Sequence, residues 1–333
     1  MTVAVEAKEL TRIFGGGRKL FGGRHPAVHA VQDADLAVEQ GETLGVVGES
    51  GCGKSTLARM LVGLDRPTAG EIRLGGRDAT ELASRDSRAL ARHIQYVFQD
   101  PVASLNPRKT IRQTLDAPMR LLLGLDAKAR EKKLAELMQA VSLREEFLDR
   151  YPHEFSGGQA QRIGIARALA ADARVIVLDE PVSALDVSVQ AQVLNLLDTL
   201  KQDFGLTYIF ISHDLSVIES VCDRVAVMYF GRIVEVGSAR DLYAHPRHPY
   251  TALLMRSAPA PGARRIEAEE RPAELPDPLN PPPGCAFASR CPRADAVCLK
   301  KRPPLEIVDA ESGAVQTAAC WYPLSDDSLA DPS

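Results

Sequence analysis

Gly48, four intervening residues, and then Gly53, Lys54 and Ser55 form a spacing that can cradle a chain of phosphates. Glycines let main-chain N–H groups close around phosphate oxygens, a lysine ammonium meets the β and γ phosphates, and a serine hydroxyl is set to reach magnesium. The whole loop, Gly48, Glu49, Ser50, Gly51, Cys52, Gly53, Lys54, Ser55 and Thr56, follows the apolar run in ETLGVV and precedes the helical pattern TLARMLVGL. That strand–loop–helix order is the setting the chemistry requires. Cys52 falls at a free position of the loop, where a small side chain fitting a tight turn is a plainer reading than a redox thiol.

About a hundred residues later, Phe155, Ser156, Gly157, Gly158 and Gln159 offer a second set of phosphate-binding groups: a hydroxyl, two bare backbone N–H groups and a helix start. The amphipathic pattern QAQRIGIARALAA predicts a helix over about 159–171, with Ser156 near the N-terminal end where the helix dipole attracts anions. A chain that already holds one complete cradle must use the second for something else.

Two further stretches place acids and polar groups at strand ends. In RVIVLDEP, four consecutive apolar residues predict a strand covered on both faces, with Asp179 and Glu180 at its carboxyl end. Open α/β sheets bind their ligands at that edge. Asp179 can hold a magnesium shell and Glu180 can reach an attacking water; after an unrelated strand, the same pair would be a cap or a surface feature. LTYIFISHD predicts a second strand, ending at His213, and Gln99 follows an apolar run in IQYVFQDP. Taken singly, His213 and Gln99 are ordinary polar residues.

Around these groups the composition is that of a globular protein. The 333 residues are 45% hydrophobic and 25% charged, enough to bury one large core and a small second domain. A net charge of -4 and a pI near 6.0 provide no chain-wide attraction to nucleic acid or anionic lipid. The start MTVAVEAKEL does not read as a secretion signal, and no apolar run approaches the roughly 20 residues of a spanning helix. The expectation is a soluble, cytoplasmic chain whose membrane role, if any, comes through partners. Cys52 and Cys222 lie early, whereas Cys285, Cys291, Cys298 and Cys320 lie in the last 49 residues. Residues 259–283 hold eight of the 22 prolines and read as a linker or wrapping segment, which sets a boundary near residue 258. GGGRKLFGG at 15–23 reads as a flexible turn between two strands.

The order P-loop, FQD, FSGGQ, VIVLDEP, SALD, ISHD closely resembles the nucleotide-binding subunit of ABC transporters over roughly residues 5–258. Phe155 departs from the leucine more usual there, one apolar residue for another. The resemblance implies an α/β P-loop NTPase fold with an N-terminal antiparallel β subdomain and a helical subdomain at about 100–170. Residues 1–258 would form the nucleotide-binding domain, and 259–333 a small, irregular, cysteine-containing extension. Within the helical subdomain, REKKLAELMQAVSL would dock on membrane subunits, unless it is an ordinary surface helix. The family pairs two such subunits head to tail, so Ser156, Gly157, Gly158 and Gln159 would face the nucleotide on the partner chain.

The same resemblance implies roles residue by residue. Lys54 and His213 would hold the γ-phosphate, Glu180 would polarise water, and Ser55, Gln99 and Asp179 would surround Mg2+. Asp186 in SALD would communicate across the dimer. Phe14 in LTRIFGG would stack on adenine, with a strand core residue as its alternative. VFQDPVASLNPRKT, HPRHPYTALLMRSAP and the cysteine-bearing tail resemble the oligopeptide and dipeptide importer branch, and the 15–23 insertion with GESGCGKST resembles the second of its two ATPases. The implied partners are a homologous ATPase subunit, two integral permease subunits and an extracytoplasmic binding protein, at the cytoplasmic face of the cell membrane. Importers of nickel or glutathione share these features. DNA-repair ATPases of the superfamily separate the two phosphate motifs by a long coiled coil, and translation factors carry two cassettes, so both readings fit poorly. The spacing of Cys285, Cys291, Cys298 and Cys320 is not the paired spacing of structural zinc, and a reducing compartment disfavours disulfides. Some relatives resembling this chain carry a 4Fe–4S cluster in that tail, leaving a cluster, zinc or free thiols as the alternatives.

Overall fold

A computed structural model describes residues 2–16, 26–256, 275–309 and 315–326. From residue 17 onward the glycine-rich patch at 15–23 lies outside the described residues, as does the boundary near 258 together with most of the proline-rich segment.

Two sheets organise the chain. Strands β1 (Val3–Gly15), β2 (Ala27–Glu39), β4 (Ala69–Leu74) and β5 (Arg77–Asp78) form an antiparallel sheet in the order β2-β1-β4-β5. This is the expected antiparallel subdomain. The larger sheet is built on β3 (Thr43–Val47), β6 (Ile94–Val97), β7 (Val175–Asp179), β8 (Thr207–Ile211) and β9 (Arg224–Tyr229), all parallel and ordered β9-β3-β8-β7-β6. Every residue of β3, β7 and β8 is buried, which is why these strands read as unbroken apolar runs with no polar alternation.

Helix α1 (Lys54–Leu61) leaves the carboxyl end of β3 and packs in one core with the antiparallel sheet. Helices α2 (Ala79–Arg85) and α3 (Ser87–His93), capped by Asp78 and Asp86, lead into β6. The opposite face of the large sheet is covered by α4 (Ile111–Leu121), α5 (Ala127–Ala140), α6 (Gly157–Leu169), α7 (Val187–Phe204), α8 (Leu215–Val221) and α9 (Ala239–Ala244). Ile111, Leu115 and Met119 of α4 meet Leu134 and Met138 of α5 and Ile163 of α6 in the core of the helical subdomain. Arg112 ties α4 to Glu131 of α5 at 2.7 Å and to Asp149 at 3.0 Å.

The carboxy-terminal extension is more ordered than its composition implied. Beyond β10 (Arg232–Ser238) and α10 (Pro249–Arg256) come α11 (Ala296–Lys300), β11 (Glu306–Asp309) and β12 (Gln316–Ala318). β12 pairs antiparallel with β10, and β11 with β12, so the extension lengthens the large sheet to eight strands. Phe287, 2% exposed, packs edge-on against Tyr229 of β9 with ring centroids 5.4 Å apart. The expectation of an irregular appendage is corrected to that extent: the backbone of β10 offers a free edge, and two short strands complete it.

Candidate functional site

The loop from Gly48 to Ser55 turns between β3 and α1 in a shape only glycine permits at two points. Gly48 has φ 151° and a Cβ there would lie 2.1 Å from the Met228 carbonyl oxygen; Gly53 has φ 110° and its Cβ would lie 2.3 Å from the Ala30 oxygen. Lys54 is buried, and its ammonium donates to the carbonyls of Gly48 at 2.7 Å and Glu49 at 3.0 Å, drawing the charge into the loop. Burial raises the pKa of the Cys52 thiol, so this cysteine acts as a packed apolar group, as its place in a tight turn suggested.

At the ends of neighbouring strands the polar groups converge. Ser55 Oγ donates to Asp179 Oδ1 at 3.2 Å, and Tyr96 donates to Asp179 Oδ2 at 2.5 Å. Burial, then the bond to Asp179, holds the Tyr96 hydroxyl protonated well above its ordinary pKa, which makes it a fixed donor. Gln99 Nε2 donates to Glu180 Oε2 at 2.8 Å, while His213 Nδ1 lies 3.1 Å from Glu180 Oε1. Glu180 itself adopts φ 47°, left-handed backbone that costs on the order of 1–3 kcal/mol in a non-glycine residue and recurs at functional sites. Its N–H bonded to the Ile211 carbonyl at 2.9 Å secures that conformation.

These groups surround a cavity of about 600 Å³ lined by residues 50–56, Gln99, Glu180 and His213, by Val28–Ala30 of β2, and by Leu275, Pro276 and Pro278 of the extension. Phe14 does not line it: the ring sits on β1 opposite Val28, under the Arg12 guanidinium at 4.4 Å.

Ser156–Gln159 are likewise outside this cavity. Ser156 caps α6, its hydroxyl accepting from Gln159 N at 3.4 Å while Gln159 Oε1 accepts from Ser156 N at 3.1 Å. Ser156 and Gly157 are exposed. Asp186 caps α7, and its bond from Val189 N lowers its pKa, so it is a stable carboxylate on the surface. The P-loop and the start of α6 therefore do not share a pocket.

Sequence reasoning missed several members of the site. Tyr96, three residues before Gln99, was not singled out. Nor was Arg290, whose guanidinium grips the loop residue Glu49 with two bonds of 2.8 and 2.9 Å, or Tyr250, whose hydroxyl accepts from Glu49 N at 2.9 Å. The four late cysteines all line one small cavity, together with Trp321 and Tyr322. Among the described residues no group of three or more His, Cys, Asp or Glu side chains is set to hold a metal ion.

Comparison with known proteins agrees with this geometry. The ABC transporter family matches residues 31–183, and the oligopeptide/dipeptide transporter C-terminal region matches residues 234–298. The oligopeptide transport ATP-binding protein AppF of Bacillus subtilis is 47% identical over 90% of this chain and 92% of its own length. The dipeptide transport ATP-binding protein DppF of Escherichia coli is 50% identical over 84% of each chain. Among solved structures, the ATP-binding cassette MJ0796 in a dimer bound to ADP and Pi superposes with a TM-score of 0.62 at 28% identity, over 71% of this chain and 99% of that one. With the loop, the strand-end acids and both family regions in place, the chain belongs to the ATP-binding, ATP-hydrolysing subunits of ABC transporters, in their oligopeptide/dipeptide branch.

Proposed function

We propose that this chain powers the import of di- or oligopeptides as one of two homologous ATPase subunits. It would sit peripherally at the cytoplasmic face of the membrane, beneath two permease subunits served by an extracytoplasmic binding protein. Among the described residues no helix is long and apolar enough to cross a membrane, so translocation is assigned to partners. The observation that carries the reading is the separation of the two phosphate-binding surfaces. The cavity beside Lys54 gathers Gln99, Glu180 and His213 but leaves the capped helix start at Ser156 outside and exposed. Two copies of such an architecture facing head to tail complete both pockets at once.

In that assembly the loop amides and Lys54 hold the β and γ phosphates of ATP. Ser55 and Asp179, which converge at 3.2 Å, fit a magnesium ion between them, with Tyr96 fixing the carboxylate. Bound magnesium would neutralise charge on the phosphate oxygens. Glu180, steadied by Gln99 and His213, orients a water for in-line attack on the γ-phosphorus, and the bond to the bridging oxygen of ADP breaks. Ser156, Gly157, Gly158 and Gln159 of the opposing subunit face the departing phosphoryl group. Asp186, capping α7 at that surface, links the halves.

The four cysteines are assigned to a 4Fe–4S cluster. Supporting this, Cys285, Cys291, Cys298 and Cys320 line one small cavity; as placed, their side chains do not form a metal-holding group, so a cluster would draw them together. The cysteines would bind metal as thiolates, and the binding energy would add to the stability of the tail. Anaerobic purification should give a brown protein with thiolate-to-iron absorbance and iron by elemental analysis; zinc in its place, or no metal, overturns the assignment.

Reconstitution with its permease subunits, in liposomes, tests the transport reading. ATP hydrolysis should rise when binding protein loaded with di- or oligopeptide is added. Stimulation by nickel or glutathione instead would reject the peptide assignment, and co-purification with DNA or ribosomes rather than multispanning subunits would reject the importer.

A further inference from the structure

One part of the nucleotide cavity comes from neither the P-loop nor the strand ends. Leu275, Pro276 and Pro278, from the carboxy-terminal extension, line it beside Val28–Ala30 of β2. The segment is hydrogen-bonded to β2 at Pro278 and packs on the large core through Leu275. At one end the Pro278 carbonyl accepts from His29 N at 3.1 Å. At the other, Leu275 reaches the apex of the P-loop, where a Cβ built on Gly51 would meet its Cδ1 at 3.9 Å. The bidentate ion pair of Arg290 with Glu49, whose Glu49 hydrogen bonds hold the Arg290 pKa above its ordinary value, fastens the rest of the extension to the same loop.

We propose that Leu275–Pro278 is the nucleoside-side wall of the ATP pocket, taking part in binding the ribose and base. The inference rests on the assignment of this cavity to ATP. With the phosphates fixed by Lys54, Ser55 and the loop amides, the remainder of the nucleotide must run toward β2, because Glu180, Gln99 and His213 occupy the other side. A path from the Gly51 apex to His29 follows this segment. Its chemistry matches a nucleoside and not a phosphate: Leu275 and the prolines present apolar surface, and prolines have no N–H to offer an anion. The one charge in the segment, the Asp277 carboxylate, is turned to its own chain, accepting from Leu279 N at 2.9 Å and Asn280 Nδ2 at 2.8 Å. Phe14 is not among the residues lining this cavity, whereas Leu275, Pro276 and Pro278 are.

The test compares ADP with pyrophosphate by titration calorimetry on the full chain, wild type against Leu275→Ala/Pro276→Ala. Losing a few methylene contacts to the nucleoside should weaken ADP binding roughly three- to tenfold, while pyrophosphate, which lacks ribose and base, binds within about twofold of wild type. An ADP affinity that is unchanged or increased overturns the proposal, the latter because the segment would then be a plug. An equal loss for both ligands also overturns it, placing the segment against the phosphates. Failure of wild-type protein to bind either ligand would reject the ATP pocket itself, a result distinct from failure of the wall. The melting temperature of the ligand-free variant, expected within a few degrees of wild type for a half-buried loop substitution, checks that folding is intact.

Discussion

Glu180 combines three features that rarely coincide without function: left-handed backbone, two polar neighbours within 3.1 Å and a place at a parallel strand's carboxyl end. Glu180→Gln keeps the shape and can still bond Gln99 and His213, but it loses the negative charge that draws a proton from water. ATP binding should be unchanged while hydrolysis by the reconstituted transporter falls roughly 10² to 10⁴-fold, the usual loss for a general base. The ATP-bound dimer should accumulate, visible by size-exclusion chromatography. Hydrolysis near the wild-type rate would remove Glu180 from the role. At this scale the sequence was legible where a residue type sits at a fixed distance from a motif, as with Lys54, Ser55, Asp179 and Glu180. It was silent on Tyr96, Tyr250 and Arg290. Their partners Asp179 and Glu49 are 83, 201 and 241 residues away, and no local pattern encodes such a bond. Phe14, given an adenine role by resemblance alone, lies under its neighbour Arg12 and is not among the residues lining the cavity.

Among the elements, α6 shows how a local signal and a distant contact share one sequence. Ser156 with Gln159 three residues on forms a capping box, and the observed helix at Gly157–Leu169 begins two residues before the 159–171 that the amphipathic pattern predicts. The paired glycines have separate reasons. A Cβ on Gly158 would meet Val189 Cγ1 of α7 at 2.4 Å, whereas one on Gly157 would meet Leu185 Cδ2 at 3.4 Å, an ordinary contact. Gly158→Ala must therefore push α7 away or distort a β-branched side chain. A loss of about 1–3 kcal/mol is expected, the range for overpacking, seen as a lower urea midpoint. Gly157→Ala should leave the midpoint nearly unchanged while still impairing hydrolysis in the assembled transporter. Equal stabilities for the two variants would show that α6 and α7 tolerate separation. The strands β3, β7 and β8 were equally plain in the sequence, because burial on both faces confines polar residues to their ends, Thr43, Asp179 and Thr207. β11 and β12 were not, since they have only four and three residues and are specified by the free edge of β10, not by their own composition.

For the molecule as a whole, the junction between the cassette and its extension is a buried polar knot. Glu235 on β10, 0% exposed, accepts from Arg247 N at 2.7 Å, His248 N at 2.8 Å and Gln316 Nε2 of β12 at 2.7 Å, so a single carboxyl group joins the sheet, the segment entering α10 and the extension. His248, 1% exposed, accepts from Tyr250 N at its Nδ1 at 3.0 Å. Burial lowers its pKa from the ordinary 6.5 to about 4, so the folded protein holds it neutral. An unfolded chain protonates it below about pH 6.5. Between the two values the unfolded state binds a proton the folded state refuses, so stability falls as pH drops from about 6.5 toward 4, by up to ~3 kcal/mol across the window. Burial raises the pKa of Glu235, whose proton uptake acts in the opposite direction and is common to wild type and variant. His248→Asn removes the titration and retains an oxygen able to accept from Tyr250 N. Its stability should therefore decline less than wild type on acidification from pH 7 to pH 4.5, the gap between their urea-derived free energies narrowing as pH falls. Parallel declines in the two proteins would mean that His248 is not the group whose protonation opens the junction, and that the acid sensitivity of the extension lies elsewhere.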